Sequence, residues 1–436
     1  MTGNILKLTV LVVVGKGFVF LFHILLGRSL GFGKGTDMFY FVLGVISLLV
    51  FIVGVAVESA IVPVYLLRKR VGSHVKDINH LAFQLLFVLS ILTMAVFLSI
   101  RHIVSGFSVF SGEDVTHIRW MLACLLPYSF LSILSSLQRG ILNAEGEFIA
   151  ASFLVISEGA GSLVLFALLV GSYGILAAPL ALGFGSFAGF MMGQTLLRKK
   201  GDSRLTLTFT RKVFSDWNLL FRHLSLPIVG TAIVGINPLI DQFFLSRVGE
   251  GVITSFSIAS RFYYIPTTLA VGGLLPILLT RFSTHVVNRD YPGYRKLLRR
   301  VLFSLLPASA AISIVLAFLG RPLMQWVFMH SRVSEENIEM ITNMFQYLQV
   351  GLSPYLASMI LTRANLALRK YSLNFYCSLA NVVLNIGLNV VLYTRLGYVG
   401  VPLATSLTYV VIFLALYFFS RKDEGKFGSV PDPVMA

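Results

Sequence analysis

Apolar stretches of about 20 residues recur along the whole of this chain, and a helix of that length crosses a hydrocarbon layer about 30 Å thick. Twelve are read, at 5 to 26, 38 to 67, 81 to 104, 118 to 137, 148 to 170, 174 to 197, 224 to 247, 253 to 280, 301 to 319, 340 to 362, 372 to 394 and 398 to 420. Inside a bilayer no water is available to satisfy backbone polar groups, so such a chain is confined to helices that hydrogen-bond internally. The predicted class is therefore an all-α integral membrane protein of about twelve transmembrane helices. A charged fraction of only 12% and a mean hydropathy of +0.83 agree with it.

The first stretch follows Lys7 and could pass for a secretion signal. Lys16 interrupts it and no small-residue cleavage site follows, so it is expected to stay as a span. The two cysteines, Cys124 and Cys377, lie inside apolar stretches and offer neither a disulfide framework nor a zinc site. A net charge of +16 raises the question of nucleic acid, and its distribution answers it. With the amino terminus inside, 25 of the 35 Lys and Arg fall on one side, eight on the other, and Lys16 and Arg261 within spans. That is the positive-inside bias, which places both termini in the cytoplasm and removes the case for a nucleic-acid partner.

The longest connection, 198 to 223, separates six spans from six spans. The expected organisation is an N-terminal six-helix bundle (1 to 197), a cytoplasmic linker (198 to 223), a C-terminal six-helix bundle (224 to 420) and a cytoplasmic tail (421 to 436). Internal similarity supports a repeat. Pro127-Tyr128 pairs with Pro354-Tyr355, Arg139 with Arg363, and "GSYGILAAPLA" with "GYVGVPLATSL", placing Gly171 over Gly397 and Gly174 over Gly400. Halves with even numbers of spans are related by an axis along the membrane normal, and cargo would sit between them.

Ionisable side chains inside spans are costly and need a partner, a wet cavity or a function. Lys16 and His23, seven apart, are expected on one face of the first span. Glu58, Glu158, Asp241 and Arg261 lie in the second, fifth, seventh and eighth. Asn381, Asn385 and Asn389 form an amide stripe at four-residue spacing, able either to hydrogen-bond between helices or to offer oxygens to a hard cation. "GFGKGTDMFYF" (31 to 41) has the look of a phosphate loop but fails as one: Gly35 follows Lys34 where Ser or Thr is required, and Arg28 stands where the first Gly should be. It reads instead as a turn feeding a helix capped at Thr36-Asp37.

"GRSLGFGKGTDMFYF", "VESAIVPVY", "RGILNAEGEF", "GINPLIDQFFLSRVGEG" and "SIASRFYYIPTTLAVGGLLPILLTRFS", in this order, resemble the MurJ (MviN) lipid II flippase family of the MOP exporter superfamily. The resemblance implies a MOP/MATE-like pair of pseudo-symmetric bundles. It also implies alternating-access transfer of polyprenyl-pyrophosphate-linked peptidoglycan precursor from inner to outer leaflet of the bacterial inner membrane, driven by membrane potential or a cation gradient. Substrate contacts are implied at Lys16, Asp37, Glu58 and Arg261, and Arg28 is expected to join Lys16 and Arg261 on the pyrophosphate. A monovalent cation, Na+ or H+, is implied at Asp241, Asn385, Asn389 and Thr405, with no other cofactor. Expected partners are the lipid-linked glycan, membrane lipids and cell-wall synthesis proteins. Phe22 and His23 replace an Arg-Asp pair common in the family, and its usual fourteen spans are twelve here. Flippases for other lipid-linked oligosaccharides and, more remotely, cation-coupled multidrug exporters share the architecture. An enzyme finds no support, because no nucleotide motif exists and the histidines are scattered.

Overall fold

The computed structural model describes residues 2–71, 74–107, 109–199, 229, 232–270, 274–368 and 370–422. Among these every regular element is helical. In chain order they are α1 (Thr2–Leu30), α2 (Lys34–Val71), α3 (His74–Ser105), α4 (Asp114–Ala144), α5 (Phe148–Tyr173), α6 (Ala177–Lys199), α7 (Asn237–Leu245), α8 (Val252–Leu269), α9 (Leu275–Val287), α10 (Tyr291–Phe328), α11 (Glu335–Gln349), α12 (Leu352–Ala367), α13 (Tyr371–Leu396) and α14 (Gly400–Lys422). The chain divides into two compact units, Met1–Thr254 with Phe328–Asn337, and Ser255–Val327 with Ile338–Ala436. Most of the 198 to 223 linker and of the tail lies outside the described residues.

In the first unit, α4, α5 and α6 close around a core that includes Leu137 and Leu154. The second has its core between α9, α10, α12 and α14, including Phe282, Ile360 and Leu361. Large apolar side chains also cover the outside: Phe303 is 75% and Phe318 80% exposed on α10. In water these would be a liability, but against lipid tails they match the solvent. With no hydrophobic gain between helices, close packing relies on small residues. A Cβ on Gly161 would approach the Gly185 Cα at 3.2 Å, and one on Gly185 would collide with the Ser162 hydroxyl and the Glu158 carbonyl.

The repeat is real, but its register differs from the glycine pairing read from sequence. Both α5 and α13 run 26 residues, each is followed by a three-residue 3-10 turn, and α6 and α14 each run 23 residues. The first turn opens at Gly174 (φ 54°), the second at Gly397 (φ 64°), each the C-cap of the helix before it. Gly174 therefore pairs with Gly397, both in the left-handed region that favours glycine. Gly171 sits within α5 and has no such role. Glu158 of α5 and Asn381 of α13 become equivalent positions, eleventh in their helices.

The expected span 340 to 362 is not a single helix but is divided between α11 and α12; part of the expected stretches 224 to 247 and 253 to 280 lies outside the described residues. The break falls at Val350-Gly351, where a Cβ on Gly351 would lie 2.8 Å from the Ser406 Cα of α14. Ser406 donates to the Tyr347 carbonyl at 2.7 Å and so satisfies a backbone acceptor near the break. The matching helix of the first half, α4, runs unbroken through Pro127.

Candidate functional site

One group of polar residues of the first unit gathers at the turn between α1 and α2. Gly31 (φ 72°) ends α1, and a Cβ there would lie 2.8 Å from the Arg332 carbonyl oxygen. Arg28, in the last turn of α1, donates to the Met329 carbonyl at 3.1 Å, and the Arg332 amide donates to the Arg28 carbonyl at 3.2 Å. Thr36 closes the turn with its hydroxyl, accepting from the Gly33 amide at 3.0 Å and donating to the Gly33 carbonyl at 2.9 Å. Lys34 reaches Asp114 at the start of α4 (2.8 Å), and Asp114 also accepts from the Ser111 amide and hydroxyl at 2.7 and 2.8 Å.

Asp37 is fully buried and does not cap its own helix as expected from sequence. Its carboxylate accepts the Gly251 amide at 2.6 Å, the Thr254 amide at 2.8 Å and the Thr254 hydroxyl at 2.6 Å. Those amides belong to the start of α8, so Asp37 caps a helix more than 200 residues away in sequence. A carboxylate there meets otherwise unsatisfied N–H groups and the positive end of the helix dipole. Gly251 (φ 80°) permits the approach, with a Cβ placed 3.1 Å from the Phe32 carbonyl oxygen.

Lys16 and His23 occupy one row of α1 but different environments. Lys16 is exposed, whereas His23 is 2% exposed, with its Nδ1 3.1 Å from the Tyr40 hydroxyl. Phe22 is fully buried, edge-on to Phe166. Twelve residues separate Lys16 from Arg28, about 18 Å along a helix, well beyond the size of one pyrophosphate. Glu58 lies on α2 with its side chain outside the described residues, and Arg261 is half-buried on α8 in the second unit.

Glu158, flagged from sequence for its position alone, has a polar shell. Ser132 and Ser186 donate to one carboxylate oxygen at 3.3 and 3.2 Å and lie 3.0 Å from each other. Arg139 stands 3.9 Å from the other oxygen and donates to Ser136 at 2.6 Å. The serines were invisible as a group because they lie on two helices, Ser132 and Ser136 on α4 and Ser186 on α6; their shared depth in adjacent spans was the available signal.

Of the implied cation ligands, Asp241 is buried in the first unit, while Asn385, Asn389 and Thr405 are buried in the second. Asn389 donates its amide to Asn385 Oδ1 at 3.1 Å, and Asn385 donates to the Thr405 hydroxyl at 3.4 Å. Within the second unit these three form an amide ladder joining α13 to α14. That arrangement fits the interhelical reading of the stripe, while the buried Asn389 Oδ1 accepts neither of these two hydrogen bonds. Among the described residues no three His, Cys, Asp or Glu side chains gather as metal ligands.

Residues 26–430 match the family model described as "Lipid II flippase MurJ". A curated relative from Borreliella burgdorferi, "Probable lipid II flippase MurJ", is 23% identical over 373 residues, covering 84% of this chain and 72% of that one. Among solved structures, a lipid II flippase MurJ in an inward closed conformation aligns with a TM-score of 0.79 at 19% identity over 96% of this chain and 89% of the other. A multidrug resistance MATE family transporter of the MOP superfamily aligns at 0.76 and 16% identity, covering 97% and 96%. With the fold shared and the family model spanning nearly the whole sequence, this multi-pass membrane protein belongs to the lipid II flippase MurJ family, a family of transporters and not of enzymes.

Proposed function

We propose that this chain carries a polyprenyl-pyrophosphate-linked peptidoglycan precursor, lipid II, from the inner to the outer leaflet of a bacterial cytoplasmic membrane. The observation that carries the reading is the match to the lipid II flippase family over residues 26–430. The physical task is narrow. A polyprenyl tail is already at home in hydrocarbon, whereas a sugar-pyrophosphate head group is costly to bury, so only the head needs shelter. Cationic side chains supply that shelter, with Arg offering a fork for phosphate oxygens and Lys a point charge.

Lys16, Arg28 and Arg261 are the cations assigned to the head group. The spacing of Lys16 and Arg28 along α1 makes their contacts successive, Lys16 at one depth and Arg28 at another. Glu58 remains assigned to the path, and Asp37 acts through its hold on α8. The basic bias of one set of loops supports cytoplasmic termini. Transport is taken to draw on membrane potential, worth about 2.3 kcal/mol per charge per 100 mV, or on a monovalent cation, Na+ or H+. Asp241, Asn385, Asn389 and Thr405 offer oxygen donors of suitable chemistry for it.

A second reading, a flippase for another lipid-linked oligosaccharide, is favoured by one observation: Phe22 and His23, which stand where an Arg-Asp pair is common in the family, are packed into the core. Expression in a strain depleted of its own lipid II flippase separates the two. Restored growth supports lipid II as cargo; arrest with the protein inserted and folded, alongside rescue of a strain lacking an O-antigen-type flippase, transfers the assignment.

A further inference from the structure

A cavity of about 290 Å³ opens in the second unit between α10, α12 and α14, apart from every residue assigned to transport above. Its wall on α10 carries Arg295, Arg299 and Phe303, and α14 contributes Tyr417 and Ser420. The floor consists of core leucines, including Leu302 and Leu361. Among the described residues no carboxylate lines it. A third cation stands at the rim, where Lys370 donates to the Ser420 carbonyl at 3.4 Å.

The order of residues on α10 carries the argument. Positions 295, 299 and 303 are four apart and form one row on the helix surface. At 1.5 Å rise per residue, Phe303 lies about 6 Å beyond Arg299 and about 12 Å beyond Arg295, toward the apolar body of the helix. The row thus passes from half-buried guanidinium to exposed guanidinium to an aromatic ring that is 75% exposed. That sequence matches a membrane lipid read from its phosphate into its acyl chain. The volume is at the small end for ligand pockets, enough for a head group and not a whole lipid. Guanidinium forks suit phosphodiester oxygens, and basic pockets between spans are where anionic head groups are held.

We propose that this cavity is a binding site for the phosphodiester head group of an anionic phospholipid, resident at the basic end of α10 and separate from the transported cargo. Arg295 and Arg299 hold the phosphate, Tyr417 and Ser420 line the opposite wall, and the acyl chain leaves over Phe303. The site depends only on the chain spanning a membrane, so it stands or falls independently of which glycan is carried.

The test is native mass spectrometry of the purified full chain after exchange into phosphatidylglycerol or phosphatidylethanolamine. Wild-type protein is expected to retain phosphatidylglycerol in preference. R295Q/R299Q should lose that preference by roughly thirtyfold, the effect of two cationic contacts at a membrane surface. R295K/R299K should recover most of it, and R300Q, on the same helix but outside the cavity, should leave it unchanged. Should the double glutamine variant not fold, R299Q alone, at an exposed position, gives the same comparison with a smaller loss. Equal retention of both lipids by wild-type protein, or a preference that survives R295Q/R299Q, overturns the site. Displacement of phosphatidylglycerol by soluble glycerol phosphate overturns the lipid assignment in favour of free phosphate. Displacement by undecaprenyl pyrophosphate overturns the separation from cargo.

Discussion

Replacing Asp37 separates a cap from a cargo contact. Its carboxylate holds three donors at 2.6 to 2.8 Å, two of them amides at the start of α8, and it has no exposed surface. A hydrogen bond to a charged group contributes about 1.5 to 3 kcal/mol. Taking the low end, because two of the three come from Thr254, Asp37→Ala is expected to cost about 4 to 5 kcal/mol. Asp37→Asn keeps one acceptor oxygen and turns an amide N–H toward a donor, so about half that loss is expected. Thr254→Val removes only the hydroxyl contact, about 1.5 kcal/mol. At roughly 1 °C per kcal/mol for a chain of this length, melting in detergent followed by intrinsic fluorescence separates Asp37→Ala clearly and should order the three Ala, Asn, Val. Lipid II binding by the surviving folded fraction should stay near wild type. Asp37→Ala melting within a degree of wild type while lipid II binding collapses would refute the capping argument and make Asp37 a direct cargo ligand.

Other outcomes follow from single contacts. Gly185→Ala drives a methyl group into the Ser162 hydroxyl and the Glu158 carbonyl, and overpacking of this kind costs about 1 to 3 kcal/mol, measurable in the same melting assay. Lys34→Ala removes a partly exposed ion pair with Asp114, so its small destabilisation should shrink further in high salt while that of Asp114→Ala, which also loses Ser111, persists. At the start of α10, the Gly293 amide and then His285 hold the Asp290 carboxyl below the usual carboxylate range. A depressed acid stabilises above its unfolded value, near 3.9, and loses that contribution as pH falls through the folded value. Hydrogen-exchange protection of residues 285 to 294 should therefore hold from neutral pH down to about 4 and fall below it, and Asp290→Asn should remove that pH dependence.

What could be read in the sequence was set by one-dimensional period and what could not was set by contacts across it. Apolar length located every helix of the first half within a few residues of its ends, or inside longer helices such as α2 and α4. It could not foresee the break at Gly351, which depends on Ser406 of another helix pressing against that backbone. The repeat was visible in its glycines, yet the register slipped by three because letters alone do not say which glycine carries positive φ; the equal helix lengths around Gly174 and Gly397 do. Asp37 stood out as an acid after a threonine, and local rules made it a cap, but the capped helix lay far along the chain. Glu158 was conspicuous and its serines were not, since Ser132 and Ser186 are ordinary residues until α4, α5 and α6 meet.

The central claim is that cationic side chains in this fold give a pyrophosphate-linked sugar a route through the bilayer. Reconstitution into liposomes loaded with lipid II on the protein's entry side, followed by labelling of head groups on the far leaflet, tests it most directly. Under an imposed membrane potential, wild-type protein is expected to expose the lipid II head group, and K16A/R261A to leave it hidden while remaining folded and inserted. Liposomes bearing wild-type protein that expose no more than empty ones, or a double variant that transports as well as wild type, would contradict the account.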